Sequence, residues 1–289
     1  SMPVPRLFEV SPEPREQWVH VIATLQALGG PETRTALIEE ISGEALPGAD
    51  ALLVREQRVL NDGTTADAVI RGAGWTLALH STLAFDADET ARLAQIYDTL
   101  TETAKDQVIL VAITPDRRPS QAVLDAAAGG QRNIRHRSWL RVRDWIQARP
   151  ERGAAQGTDL MLLREADYFF TPRVAELYRL EGLMPLVDAA LRPSFASMFF
   201  DLNDLAPAPL IKTEEGAARV AFPRTGDPQV EIRLGQSGLS IGVQSPTAGP
   251  GYAAAEAGWQ RLEVAGSGDY VAARAWTQST ARGVLPARR

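Results

Sequence analysis

The stretch WTLALHSTLAF, Trp75 to Phe85, reads as a buried β-strand that runs out into three polar residues, His80, Ser81 and Thr82. Along it side chains alternate between faces, so Trp75, Leu77, Leu79, Ser81 and Leu83 share one side and Thr76, Ala78, His80 and Thr82 the other. Upstream, TADAVI (Thr65 to Ile70) is a second strand, and RGAG (Arg71 to Gly74) supplies a glycine-containing turn. The two strands form a hairpin. The turn length decides the chemistry. A connection of two or four residues puts Asp67 on the His80/Thr82 side, and one of three residues sends it to the opposite side.

Working outward, Pro14 to Leu28 carries apolar residues at Trp18, Val19, Ile22, Leu25 and Leu28, a helical stripe stopped by Gly29-Gly30-Pro31. Glu32 to Ile41 predicts a short helix, and Ala51 to Leu60 a strand closed by the turn Asn61-Asp62-Gly63. After the hairpin, Asp86 to Leu100 has acids in its first turn and Leu93, Ile96, Tyr97 and Leu100 at helical spacing. QVILVAIT, Gln107 to Thr114, is a near-continuous apolar run of strand length, as expected of a strand covered on both faces. The order helix, strand, hairpin, helix, buried strand implies an α/β fold with a mixed central sheet flanked by helices.

From Pro119 the chain turns largely helical. Ser138 to Gln147 has a serine N-cap, and further helices are expected over Thr158 to Phe170, Pro172 to Arg192 and Ser194 to Leu205. Beyond APAPL (Ala206 to Leu210), the segments ARVAFP, PQVEIRL and LSIGVQ alternate between turns and predict a β-meander. The tail from Gly251 has no clear pattern. The expected organisation is residues 3–205 as the core with its helical middle segment and 206–289 as a β-rich C-terminal extension.

Composition narrows the function classes. The chain has 289 residues, no cysteine, three histidines and a net charge of −6. Disulfides, thiol nucleophiles and cysteine-bound zinc are therefore excluded. The longest clean apolar run, Val108 to Ile113, falls far short of the ~20 residues that span a bilayer, so no membrane is expected. The leading Ser-Met reads as an expression remnant, no signal-type segment opens the chain, and the expected location is cytoplasmic.

An acidic residue entering one strand, a turn, then an apolar strand ending in a Glu-x-Lys pair is the signature of PD-(D/E)xK nucleases, the restriction-endonuclease-like fold. Between about Pro12 and Tyr178 this chain resembles that family in pattern: the order of elements, the acidic start of the following helix, QVILVAIT, and a later SWLRVRDWI helix preceded by arginines. The resemblance implies a site in which two carboxylates hold a divalent cation, normally Mg²⁺, while a lysine stabilises developing charge. Asp67 stands at the first carboxylate position, His80 at the second and Thr82 at the lysine position. RLAQI, Arg92 to Ile96, replaces the family's Gln-Leu-x-x-Tyr motif, with Gln95 and Tyr97 close by. One of three core positions survives, so the resemblance implies a degenerate, non-cleaving pseudonuclease of bacterial antiviral defence or DNA processing, with no cofactor expected. An active form would use Asp67 and His80 as ligands and take Mg²⁺, or Mn²⁺, which suits imidazole better.

Between Gln131 and Arg152 seven arginines stand against two acids, with Trp139 and Trp145 interleaved. Arg132, Arg135 and Arg137 precede the helix in an expected loop, and Arg141 and Arg143 lie on it. Guanidinium groups fork phosphate oxygens, so this patch is the candidate surface for DNA or RNA. The plainer reading is a solvated helix face with its tryptophans in the core. Three functions follow: a non-cleaving protein binding nucleic acid or a partner protein, an active metal-dependent nuclease with relocated ligands, or a scaffold subunit that touches no nucleic acid.

Overall fold

The computed structural model describes residues 7–8, 13–50, 53–151, 153, 155–223, 230–244, 259–265 and 269–285. They group into two compact units, Ser1–Tyr178 and Arg179–Arg289; the sequence reading placed the break at Ala206. Ala51 and Leu52 of the expected first strand, and Pro228 and Gln229 of the meander, lie outside the described residues.

The first unit opens with helices α1 (Pro14–Leu28) and α2 (Pro31–Ser42). Strands β1 (Leu53–Val59), β2 (Thr65–Gly72) and β3 (Trp75–Ser81) follow. Then come α3 (Thr90–Thr103), β4 (Gln107–Thr114), α4 (Gln121–Ala127), β5 (Ile134–Ser138), α5 (Trp139–Glu151) and α6 (Gly157–Arg179). One sheet has the order β1-β2-β3-β4-β5; β1, β2 and β3 pair antiparallel, β3, β4 and β5 parallel. It is the mixed α/β sheet expected.

Register in the hairpin answers the question of the turn. Gly72 pairs with Trp75, which leaves Ala73 and Gly74 as a two-residue connection. Gly74 sits at φ +79°, a backbone state that glycine enters without a Cβ clash. The pairing runs as far as Ala68 and Leu79, and this even register, continued by one residue, sets Asp67 opposite His80.

Both faces of the central strands are covered. Ala78, Leu110 and Ala112 pack with Leu93, Ile96 and Leu100 of α3 and with Val123 and Ala126 of α4. The opposite set, Leu77, Leu79, Ile109 and Val111, is fully buried as well, which is why QVILVAIT shows no alternation. On the α1 side three aromatics interlock: Trp139 lies 5.2 Å from Trp18 and 5.6 Å from Phe170, ring centre to ring centre. The Trp139 indole also donates to the Thr82 carbonyl, at 2.8 Å.

Two sequence expectations need correction. Arg135 and Arg137 do not lie in a loop; they belong to β5, an edge strand parallel to β4. With Ile134 as its sole apolar residue, that strand has no legible pattern, and pairing with β4 overrides local preference. Pro172 does not separate two helices; it lies inside α6, which stops at Arg179, well short of Arg192.

The second unit contains α7 (Arg192–Leu205), strands β6 (Leu210–Glu214), β7 (Ala217–Phe222), β8 (Val230–Gly235), β9 (Gly238–Gln244) and β10 (Trp259–Val264), and helix α8 (Asp269–Trp276). All neighbours in its sheet pair antiparallel in the order β10-β9-β8-β7-β6. Phe199 of α7 packs 5.8 Å from Phe222 of β7. The meander is as expected, with β6 and β10 added at its edges.

Removing the Trp139 side chain deletes a fully buried indole and leaves the Thr82 carbonyl short of a donor. Trp139→Ala is expected to cost about 3–5 kcal/mol, read as a lowered midpoint in urea unfolding. A variant as stable as the parent would show that the aromatic cluster is not what fixes α5 to the sheet.

Candidate functional site

Asp67 enters the sheet near the start of β2 and is 1% exposed. Its Oδ2 accepts the Ser81 backbone N–H at 2.7 Å and the Ser81 hydroxyl at 3.0 Å. Its Oδ1 faces the Arg15 guanidinium of α1 at 3.5 Å, and Arg15 also reaches the Ser81 carbonyl. His80, 2% exposed, brings Nδ1 to 3.8 Å from Asp67 Oδ2, outside hydrogen-bond range. Its Nε2 meets Glu89 Oε2 at 3.1 Å. Burial pushes the Glu89 carboxyl up, but the His80 hydrogen bond and charge, with Arg92 and Arg15, reverse this and hold it below its ordinary value. The outcome is a row Arg15–Asp67–His80–Glu89, buried at Asp67 and His80 and half-buried at its ends, in which cationic or donor groups alternate with carboxylates.

Thr82 takes no part in that chain. Its hydroxyl accepts the Ala84 N–H, closing a local turn. Of the three sequence-predicted motif positions, then, Asp67 and His80 meet and Thr82 turns the backbone. Gln95, offered by the accessory motif, is directed elsewhere: it and Thr99 donate to Asp62. The Thr64 hydroxyl and backbone N–H, more than Thr99 and Gln95, hold the Asp62 carboxyl down at about 2.

Beyond His80 and Glu89 lies a cavity of about 10 Å³, also lined by Thr82, Thr114, Asp116 and Ser120. That is room for about one water, not for a nucleotide. Sequence reasoning missed this second polar cluster. Thr114 Oγ1 lies 2.8 Å from His136 Nε2 and 3.2 Å from Asp116 Oδ2, and the Asp86 backbone N–H donates to Asp116 at 3.2 Å. Burial, then repulsion from Asp86, raises the Asp116 carboxyl to about 6. Burial, then the Arg137 charge, lowers His136 to about 4. The signal for Glu89 was the acidic segment before α3; nothing local announced Arg15, Thr114 or His136.

A metal ion at Asp67 and His80 is poorly served by these residues. Mg²⁺ asks for near-octahedral oxygen ligation, yet both Asp67 oxygens already face protein donors. Among the described residues no group of three or more histidine, aspartate or glutamate side chains is placed to hold a metal.

The predicted arginine patch is engaged by protein partners, most of them far away in sequence. Arg132 forks Asp98 at 2.9 and 3.0 Å, which raises its pKa. Arg135 donates to the Ser42 carbonyl and Asn133 and approaches Glu44. Arg137 donates to the Glu40 carbonyl. Its close approach uses Gly43, whose φ of +84° caps α2 and where a Cβ would stand 2.7 Å from the guanidinium. Arg141 pairs with Glu40 at 3.1 Å and Arg143 with Asp144 at 2.8 Å. Trp139 is core, and Trp145 lies under Arg149. Among the described residues no helix is long and apolar enough to cross a membrane.

Comparison with protein-family models, curated proteins and solved structures finds no match to this chain.

The two titrations of the second cluster act in opposite directions. Asp116 holds its proton to a higher pH in the folded state, so its contribution to stability is lost as pH rises from about 4 to about 6. His136 resists protonation in the folded state, so its contribution is lost as pH falls from 6.5 to about 4. Thermal midpoints across this window are therefore expected to rise with pH in Asp116→Asn and to fall with pH in His136→Gln. Two parallel curves would reject the assignment.

Proposed function

We propose that this is a degenerate nuclease-fold protein of the PD-(D/E)xK type, which holds nucleic acid or a partner protein without hydrolysing phosphodiesters. The resemblance in element order and in the positions of Asp67 and His80 supports the ancestry. The observation that carries the non-cleaving reading is the engagement of Asp67. A working metal site keeps carboxylate oxygens available to a cation and to a phosphate oxygen. Here the donors come from Ser81 and the charge from Arg15, with His80 where a second acid would stand. The adjoining cavity has room for about one water, so neither a scissile phosphate nor a metal with its hydration shell fits beside Glu89. Where active relatives draw in a cation, this chain substitutes its own.

Stability separates the two roles of Asp67. Catalytic carboxylates repel one another in the empty site, and their neutralisation commonly stabilises the fold. A carboxylate bound by its neighbours does the reverse. Asp67→Asn is expected to destabilise by roughly 1.5–3 kcal/mol, seen in urea unfolding. Purified protein is expected to leave single- and double-stranded DNA and RNA intact with Mg²⁺ or Mn²⁺. Cleavage that disappears in Asp67→Asn would overturn the reading in favour of an active nuclease.

A further inference from the structure

Strict alternation along β1 and β2 places Leu53 and Arg55 on the same sheet face as Val69 and Arg71, because Leu53 pairs with Arg71 and Arg55 with Val69. Arg58 belongs by parity to the other face. At Gln57, however, the backbone swings to φ +48°, the left-handed region, and Arg58 lines the same groove as Arg55 and Arg71. Three arginines thus line, together with Leu53 and Val69, one cavity of about 110 Å³. Among the described residues, neither a carboxylate nor a lysine lines it. The nearest acid on the strand, Glu56, is held by His20 of α1 at 2.9 Å, and its parity is opposite to that of Arg55. No described residue forms a hydrogen bond or ion pair with Arg55, Arg58 or Arg71, whereas each arginine of the 132–143 patch has a protein partner.

We infer that the Arg55–Arg58–Arg71 groove binds the phosphodiester backbone of a nucleic acid. Three neighbouring cations without counter-charges are matched by an anion that repeats its charge along a chain. A nucleic-acid strand does so at fixed, short intervals, and guanidinium groups fork phosphate oxygens. An acidic peptide spaces its carboxylates on flexible side chains and loses more entropy on binding. The apolar floor of Leu53, 51% exposed, and Val69 suits sugar contact between phosphates. The groove is separate from the Asp67 chain: on β2, positions 67 and 71 are four residues apart, about 13 Å along a strand. Its face continues from β2 onto the edge strand β1, so a strand of nucleic acid can follow it without entering the sheet.

The inference rests on the reading of this chain as a non-cleaving holder of nucleic acid, and its failure is distinguishable. Cleavage in the assay above sinks that reading and leaves the groove untouched. The groove is tested by fluorescence anisotropy of short labelled DNA and RNA strands and duplexes, with the full chain, from about 50 to about 200 mM salt. Arg55→Ala and Arg71→Ala are each expected to reduce the log–log salt slope by about 0.9 on duplex or about 0.7 on single strands. Together they weaken binding about tenfold or more, and Arg71→Lys keeps the slope. Arg141→Ala changes neither. Thermal midpoints of the Arg55 and Arg71 variants stay near the parent value, since neither arginine pairs with a described residue. Binding lost in Arg141→Ala but kept without Arg55 and Arg71 overturns the assignment. So does absence of binding at about 50 mM salt, or equal competition by polyglutamate, which would point to an acidic protein segment.

Discussion

A carboxylate buried to 1% exposure survives in a fold only if donors replace the water it lost. At Asp67 they come from the end of β3 and from α1. The Ser81 N–H and hydroxyl take one oxygen, and the Arg15 guanidinium takes the other. These contacts tie α1, β2 and β3 together at one point, next to the imidazole that continues the chain to Glu89. The geometry depends on the hairpin register. A turn one residue longer would shift every residue of β2 to the opposite face and break the Asp67–Ser81 contacts.

Much of this was legible. The apolar run of β4 announced a strand buried on both faces, and alternation in Trp75–Leu83 located the hairpin. What the sequence left open was the turn length, because Arg71-Gly72-Ala73-Gly74 permits more than one connection. The structure closes it with two residues, Ala73 and Gly74, the latter at φ +79°. β5 was not legible, since its Ile134 stands alone among arginines and a histidine and the strand exists through its pairing with β4. Pro172 misled for a related reason: neighbours buried along α6, such as Phe170 and Val174, hold the helix through a residue that breaks isolated helices.

The candidate site shows the same division. Spacing alone could bring Asp67 and His80 together. It could not supply Arg15, which approaches from α1, or Asp116 and His136, which meet through Thr114 across two strands. Charge counting shows the arginines but not the acids that pair with them. A dense run of arginines invites a phosphate reading, yet Asp98, Glu40 and Glu44 lie distant in sequence and close in space. Arg55, Arg58 and Arg71, which pair with no described residue, are spread over two strands, where no window of residues makes them conspicuous.

Tyr178, the last residue of the first unit, stacks edge-on against Phe85, donates its phenol to the Pro115 carbonyl and contacts the Ser138 hydroxyl. It thereby gathers the segments that leave β3, β4 and β5. During synthesis the whole sheet has left the ribosome once Ser138 has emerged, but the clasp across those three exits is still to be made. Until the far end of α6 follows, the nascent unit has its strands and lacks its fastener. Its final consolidation is timed by translation of a helix rather than by the sheet.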